Sequence, residues 1–297
     1  MYQSSLNIER AKYITAVVIY GTIGAFLRYV SLPSDVVALC RGAIGSAFIL
    51  LYMKFRRINM DLEAVRRNLR WLILSGVFLG LNWVFLFAAY TLTTVAVASL
   101  CNYMAPMILI LVSPALLREP LDRRKLPCVA AAFVGIVLIS GVLGGSVGNP
   151  SGILTGFAAA ACFVALVICN RKIQGITAFD KSVIQLAVSS LTILPWSWIH
   201  AQGTILHVDA RSALIVLLLG VVHTGAAYCL YFSGLGSLPV QTIAVLGYLE
   251  PVVSVLCSAF FLREPMNASG WIGAFLILSA AVTSEALPAQ AAGERET

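Results

Sequence analysis

The chain has few charged residues. Asp, Glu, Lys and Arg make up 11% of its 297 residues, against about 25% in an average soluble domain. Hydrophobic residues make up 60% of the chain, and its mean hydropathy is +0.91. These values exclude a water-soluble globular protein and indicate a chain that lies mostly inside a membrane.

The motifs of ATP-driven, metal-dependent and hydrolytic proteins are also missing. The sequence has no Walker motif and no Gly-rich phosphate loop, so ATP does not drive this chain directly. Its three histidines and seven cysteines show no CxxC or Cys/His ligand spacing, and no Ser-His-Asp or Cys-His set stands out. We therefore expect no metal, no cofactor and no enzymatic activity, and we interpret the cysteines as small buried apolar residues.

Ten apolar segments follow one another, each near the length that spans a bilayer. With the N-terminus in the cytoplasm, most basic residues fall in inner loops, as the positive-inside rule requires. Arg28, Arg211 and Arg263 fall outside, and Arg41 lies within a span. The net charge of +7 therefore indicates cytoplasmic loops beside anionic lipids, not nucleic-acid binding. The predicted segments are 11–30, 35–54, 70–91, 95–117, 126–144, 151–170, 182–200, 211–234, 239–262 and 269–287.

One sequence pattern occurs twice, at an offset of 145 residues. Residues 103–120 read YMAPMILILVSPALLREP and residues 248–265 read YLEPVVSVLCSAFFLREP. The offset continues upstream without a gap, so that Asp35 matches Asp180. If each copy crosses the membrane five times, the two copies have opposite orientations, which is the architecture of many secondary transporters.

We predict an all-α integral membrane protein with ten transmembrane helices arranged as two inverted five-helix repeats. The first repeat covers 1–145 and the second covers 146–290. The tail at 291–297 is predicted to be disordered and cytoplasmic. The longest predicted internal loop is Phe55–Leu69. The basic loops place both termini in the cytoplasm of a bacterial-type inner membrane.

In these features the chain resembles the drug/metabolite transporter superfamily, in its EamA-domain branch. The resemblance is carried by the ten spans, the repeat, the Glu250-Pro251 pair, the Leu-Arg-Glu-Pro endings at 117–120 and 262–265, and Arg41. In overall character the chain is closest to YddG-type aromatic amino-acid exporters. The resemblance implies a central cavity lined by segments 1, 3, 4, 6, 8 and 9, and export of small amphipathic metabolites.

Two residues of opposite charge, Glu250 and Arg41, lie well within predicted spans, where an isolated charge is costly. Glu250 is a candidate partner for a substrate amine or a proton, or it stabilises the helix break at Pro251; the first repeat has no carboxylate before the matching Pro106. Arg41 is a candidate ligand for a substrate carboxylate. It could equally pair with Glu250 or extend towards the outer headgroups.

Asn82 and His223 lie at similar depths in the third and eighth segments. The pairs 78/82 and 223/227 share one spacing across the repeat, and residues four apart lie on one helix face. We predict that Asn82 and His223 approach a common central space and contact substrate. The alternative is a hydrogen bond between helices for either residue.

Aromatic residues cluster in the same segments. Trp83 and Tyr228 lie near these polar residues, and Tyr103 and Tyr248 precede the two prolines of the repeated pattern. Rings of this kind would suit a substrate with a large side chain. Packing within the protein and contact with lipid are the alternatives.

The sequence thus predicts a secondary carrier that exports small metabolites, above all amino acids, with aromatic and other neutral ones among the candidates, by alternating access. The alternatives are a multidrug exporter of cationic amphiphiles and, from another class, a membrane enzyme or lipid-handling protein. The expected partners are a small-molecule substrate and the lipid bilayer, and no nucleic acid. Proton coupling and the oligomeric state stay open, and the sequence is compatible with a monomer.

Overall fold

The computed structural model of the chain describes residues 2–116, 123–139, 149–200, 208–235, 246–247 and 249–287. Across these ranges the secondary structure is helical and contains no strand. The helices are α1 (Tyr2–Gly21), α2 (Ile23–Leu27), α3 (Ser34–Phe55), α4 (Leu62–Leu92), α5 (Val95–Asn102), α6 (Ala105–Leu116), α7 (Leu126–Ile139), α8 (Pro150–Arg171), α9 (Ala178–His200), α10 (Ala210–Gly220), α11 (Ala227–Leu235), α12 (Leu249–Leu256) and α13 (Ala268–Ala286).

Several short helices continue one another, so the described part of the chain forms ten helical units that match the ten predicted segments. Among the described residues, five stretches are long and apolar enough to cross a membrane, and two further apolar helices are shorter. The prediction of an all-α chain with ten helices is confirmed, and the inverted arrangement stays a prediction. The five long stretches are Ser34–Phe55, Leu62–Leu92, Val95–Val112, Pro150–Arg171 and Ala210–Tyr231.

Side-chain caps explain where several helices begin. Asp61 precedes α4, and its Oδ1 accepts a hydrogen bond from the Ala64 amide at 2.9 Å, which satisfies an otherwise unpaired N–H of the first turn. Helix α4 therefore begins at Leu62 and the predicted loop Phe55–Leu69 is wrong: only residues 56–61 are non-helical. The first Leu-Arg-Glu-Pro sequence at 117–120 and the predicted tail at 291–297 lie outside the described residues.

The fourth and eighth units are not regular α-helices. A tight turn separates α5 from α6, in which the Met104 amide donates to the Cys101 carbonyl at 3.1 Å. Pro106 follows as the second residue of α6, where its missing N–H is tolerated. In the eighth unit, residues Val221–Ala226 form a π-helical turn between α10 and α11. Turns of this type occur frequently at functional sites.

Helix α9 packs closely on both α3 and α4 near the centre of the molecule. A Cβ atom at Gly80 would lie 2.9 Å from the Ser189 carbonyl oxygen of α9, so glycine permits this approach. On the α3 side, Gly42 packs on Ser190 and on the Leu186 carbonyl. Helix α4 also packs on α8, α1 packs on α11 and α12, and α7 packs on α13.

Apolar side chains cover the outside of the helices, and polar side chains are enclosed. Leu154, Trp198 and Phe275 are about 70% exposed, which in a membrane means contact with lipid. Asn82 and Asp180, in contrast, are almost fully buried. This distribution is typical of a helical membrane protein, in which intramembrane polar groups face the bundle interior.

Candidate functional site

A central cavity of about 380 Å³ lies between the helices. Its lining comes from eight of the ten helical units, namely those of α1–α2, α3, α4, α5, α8, α9, α11 and α12. The second and seventh units therefore contribute in addition to the six units that the family resemblance implies. The volume is in the range of small-molecule sites.

Arg41 projects from α3 into this cavity and is 5% exposed. Its Nε donates to Thr224 Oγ1 at 2.7 Å, and its guanidinium lies 4.3 Å from the centre of the Trp83 ring. Cation–π contact of this kind contributes about 0.5–2 kcal/mol. No described residue accepts a hydrogen bond from the two terminal amino groups, so this fork is free to bind a carboxylate.

The π-helical turn positions Thr224. Its hydroxyl also donates to the Leu219 carbonyl at 3.0 Å, and its methyl carbon faces Gly45 of α3. The side chain that orients Arg41 is therefore held from two sides and is fully buried. Because Arg41 is held in place in this way, it needs little reorganisation when a substrate binds.

Glu250 lines the same cavity from the first turn of α12. A carboxylate in the first turn of a helix is stabilised by the helix dipole, and the Tyr103 side chain is its hydrogen-bond partner. Pro251 follows and is buried. Glu250 does not form an ion pair with Arg41, although ion pairs do occur elsewhere among the described residues. The direct Arg41–Glu250 pair, one of our alternatives, is therefore wrong.

Eight of the residues that line the cavity are aromatic. Trp83, Phe87 and Tyr90 come from α4, and Tyr228 and Tyr231 come from α11. Tyr20 meets Tyr228 edge to face, with ring centres 6.0 Å apart. The predicted aromatic lining is present at Trp83, Tyr228 and Tyr103, whereas Tyr248 lies outside the described residues. For Pro106 the structure describes the helix but not the side chain's surroundings.

Asn82 lines the cavity, but its side-chain amide is already bonded. Nδ2 donates to Asn102 Oδ1 at 2.9 Å and to the Ala159 carbonyl at 2.8 Å. These bonds join α4 to α5 and α8, and Asn82 is 3% exposed. The residue therefore braces three helices at the cavity wall.

His223 does not line the cavity. Its ring lies 5.0 Å from the Phe26 ring, and Nε2 forms a 3.0 Å hydrogen bond with Thr22 Oγ1. The expected common space with Asn82 is therefore not formed. The physical reason is the π-helical turn, which changes the helical periodicity on which the spacing argument depended and turns His223 towards α2.

Six polar residues in the cavity wall were not predicted, two of which are Ser99 and Ser254. Gln185 Nε2 donates to Ser75 Oγ at 2.7 Å and to Asn170 Oδ1 at 2.6 Å, and Lys181 and Asn102 also line the cavity. Asn102, Asn170 and Gln185 are polar residues within or at the edge of apolar segments. Their intramembrane position was the signal that could have revealed them.

A charged cluster joins separate segments beyond the Tyr90 end of the cavity. Arg28 Nη2 donates to Glu264 Oε1 at 2.6 Å and to the Thr93 carbonyl at 2.8 Å. Glu264 Oε2 accepts from the Val95 amide at 2.9 Å and from the Ser258 hydroxyl. Glu264 belongs to the second Leu-Arg-Glu-Pro sequence, so that motif has a defined structural role here.

Comparison with known proteins identifies the family to which this architecture belongs. The model of the EamA-like transporter family matches residues 12–141 and again residues 150–284. The chain belongs to the EamA-like transporter family. The resemblance to the drug/metabolite transporter superfamily is thereby confirmed, and the ten helical units are those of a multi-pass membrane transporter.

Relatives of this EamA-like chain cover most of its length. Protein PecM of Dickeya dadantii is 28% identical over 258 residues, which are 84% of each chain. The uncharacterized transporter YxxF of Bacillus subtilis is 25% identical over 254 residues, 84% of this chain and 80% of YxxF. Protein RarD of Streptomyces exfoliatus is 24% identical over 78% of this chain and 73% of RarD.

The fold is also present in a solved crystal structure. That protein superposes with a TM-score of 0.63 at 20% sequence identity, over 93% of this chain and 96% of its own. At this identity the likeness establishes the fold alone.

Proposed function

We propose that this protein is a secondary transporter that exports amino acids, especially those with large neutral or aromatic side chains. One observation carries the proposal: Arg41 and Glu250 line one cavity without pairing with each other, and aromatic rings lie around them. An amino-acid zwitterion offers a carboxylate to the first and an ammonium group to the second, and its side chain would fill the aromatic part.

The energetics favour this assignment. An unpaired charge within a membrane costs several kcal/mol, so two such residues need water or a ligand of opposite charge. The free fork of Arg41 matches a carboxylate with two parallel hydrogen bonds. Glu250 keeps acceptor capacity beyond its bond to Tyr103, because an ionised carboxylate has about four acceptor positions. Binding of a zwitterion satisfies both residues at once.

Helix packing supports the inverted repeat. At the 145-residue offset, α1 of the first repeat corresponds to α8 of the second, and α4 corresponds to the α10–α11 unit. In agreement with this correspondence, α4 packs on α8 just as α11 packs on α1. In the same way α3 corresponds to α9 and α7 corresponds to α13, and the two helices of each pair are in contact. Packing of this kind is what a two-fold axis between repeats 1–145 and 146–290 would produce.

Alternating access would then move one repeat against the other. With both termini in the cytoplasm of an inner membrane, the Arg28–Glu264 cluster lies on the outer side and Lys181 lies on the inner side. In this proposal the cluster closes the outer side, and the structure corresponds to an inward-facing state. Export requires the cluster to open after substrate has bound from inside.

Purified protein in liposomes tests the proposal. We expect counterflow of labelled phenylalanine or tyrosine, and no counterflow of nucleosides. Arg41→Gln should lower the apparent affinity for these amino acids by about 100-fold, since a bidentate charged contact is lost. Arg70→Gln is the matched control, because Arg70 stacks on Trp71 at 4.4 Å outside the cavity. Amino-acid transport that is absent in wild type, or unaffected by Arg41→Gln, would refute the assignment.

The second candidate is an exporter of cationic amphiphiles. Glu250 and the surrounding rings favour it, because aromatic cages with a carboxylate bind ammonium groups. In the same liposomes a cationic dye would then compete, Glu250→Gln would abolish its transport, and Arg41→Gln would leave it intact. Measuring both substrates at two pH values also shows whether protons are coupled.

A further inference from the structure

Lys181 lies at the opposite end of the cavity from the Arg28–Glu264 cluster. It belongs to the first turns of α9, lines the cavity and is partly exposed. Among the described residues, no carboxylate or carbonyl pairs with its ammonium group. The adjacent Asp180 is buried and accepts from the Asp61 amide at 3.4 Å instead, so it does not neutralise Lys181.

The position of Lys181 along α9 separates it from Arg41. Gly42, the neighbour of Arg41, packs on Ser190 of α9. Lys181 precedes Ser190 by nine residues in the same helix, which corresponds to about 13 Å along the axis. One cavity therefore carries two cations whose backbone positions lie at different depths.

The groups next to Lys181 offer further donors. Gln185 follows it by one helical turn on the same face of α9, and Gln185 holds Asn170 through the Asn170 Oδ1 atom. The Nδ2 group of Asn170 has no acceptor in the described part of the chain. An anion at this end of the cavity would meet Lys181 and Asn170 together. Among the described residues, no carboxylate of the cavity wall lies beside these two side chains.

We propose that Lys181 is a specificity-determining residue that admits substrates through their carboxylate at the inner end of the cavity and rejects cations there. The inference rests on the proposed function and deepens it, because it names the substrate group that enters first. In a cleft with low-dielectric walls, an unpaired cation raises the local concentration of anions by about tenfold or more. The carboxylate would then pass from Lys181 to the fork of Arg41.

The charge preference can be measured without any substrate. Leu166 lines the cavity from α8, one helical turn before Asn170, so Leu166→Cys serves as a reporter. Its rates of modification by a sulfonate-bearing and a trimethylammonium-bearing methanethiosulfonate are compared by mass spectrometry of the labelled peptide. We expect Lys181→Gln to lower the anion-to-cation rate ratio about tenfold. Lys181→Glu should lower the ratio further, and Lys181→Arg should preserve it.

Lys172→Gln is the control for a general charge effect, because Lys172 is exposed at the end of α8. A ratio that is unchanged in Lys181→Gln and Lys181→Glu would overturn the proposal. So would a reporter that neither reagent modifies, or an equal change in Lys172→Gln. Thermal unfolding of each variant shows that the fold is intact. Failure of amino-acid transport in liposomes, in contrast, would refute the proposed function while leaving this ratio measurable.

Discussion

At one end of the cavity, Arg28, Thr93, Val95 and Glu264 bind one another through charged hydrogen bonds between segments that are far apart in the sequence. At the other end, Lys181 and Asn170 leave donors without acceptors among the described residues, and Lys181 is partly exposed. The two ends of the cavity therefore differ in whether their polar groups already have partners in the described part of the chain.

The largest effect is expected at the Arg28–Glu264 cluster. Glu264→Gln removes the ion pair with Arg28, and each lost charged hydrogen bond contributes about 1.5–3 kcal/mol. The outward-open population should rise at least tenfold, since about 1.4 kcal/mol corresponds to a factor of ten. The rate at which an impermeant thiol reagent, added outside, modifies Ile23→Cys in the cavity wall measures this change.

Arg211→Gln provides the control for that experiment. Arg211 carries the same charge and stacks on Tyr29 at 4.8 Å, away from Glu264. Its replacement should leave the labelling rate of Ile23→Cys near the wild-type value. Equal rates in wild type and Glu264→Gln would show that the cluster does not close the cavity.

Between the two ends, Asn82 should contribute to stability more than to binding. Asn82→Ala leaves Asn102 Oδ1 and the Ala159 carbonyl without their donor, at a cost of about 2 kcal/mol. We therefore expect a clear drop in the thermal unfolding temperature in detergent. His223→Ala should not change substrate affinity, because His223 lies outside the cavity. An Asn82→Ala protein with wild-type stability and weakened binding would restore the direct substrate contact that the sequence spacing suggested.

The close contact of α4 with α9 offers a somewhat smaller test. Gly80→Ala places a methyl group against the Ser189 backbone, which cannot move independently of its helix. Overpacking of this kind costs about 1–2 kcal/mol. We expect lower thermal stability and slower transport. Alanine has a higher helix propensity than glycine, so propensity alone would raise the stability of Gly80→Ala. A Gly80→Ala protein at least as stable as wild type would therefore show that this contact tolerates a methyl group.

The smallest effect is expected at Asp209, which precedes α10 at the same end of the molecule as the Arg28–Glu264 cluster. Asp209 caps α10 by accepting from the Ser212 amide at 3.2 Å, and it also accepts from the Ser31 hydroxyl at 3.1 Å. The hydrogen bonds from Ser212, and then from Ser31, hold the pKa of Asp209 below its ordinary value. Asp209→Ala should lower the unfolding temperature slightly, whereas Asp209→Asn should retain most of the cap.

The pH dependence at Asp209 follows from the direction of that shift. Because the folded-state pKa lies below the ordinary value, the stabilisation is fully present above the ordinary pKa and is lost as the pH falls through the lowered one. A series of unfolding temperatures from neutral to acidic pH should therefore converge for wild type and Asp209→Asn. Parallel curves would show that the carboxylate charge contributes nothing at this position.

Sequence reasoning succeeded where the signal was local or periodic. The apolar segments predicted the ten helical units correctly, because a membrane span needs about twenty apolar residues in a row. Arg41 and Glu250 were identified because charged residues well within such segments are few. Trp83, Tyr103 and Tyr228 were identified because aromatic residues cluster in these segments, and all five residues line the cavity. The prediction for His223 failed, because a π-helical turn cannot be recognised from apolar spacing. Lys181 was missed because it looked like one more basic residue of an inner loop.

The sequence by itself determined the class of protein, the number of helices and the family, together with six of the residues that line the cavity, namely Arg41, Asn82, Trp83, Tyr103, Tyr228 and Glu250. The tertiary structure decided the partners of those residues: Arg41 with Trp83 and Thr224, Glu250 with Tyr103, and Glu264 with Arg28. In a lipid environment a buried charge needs some partner, and composition alone reveals that need. Which partner meets it depends on helices that are distant in the sequence and brought together by small residues such as Gly80.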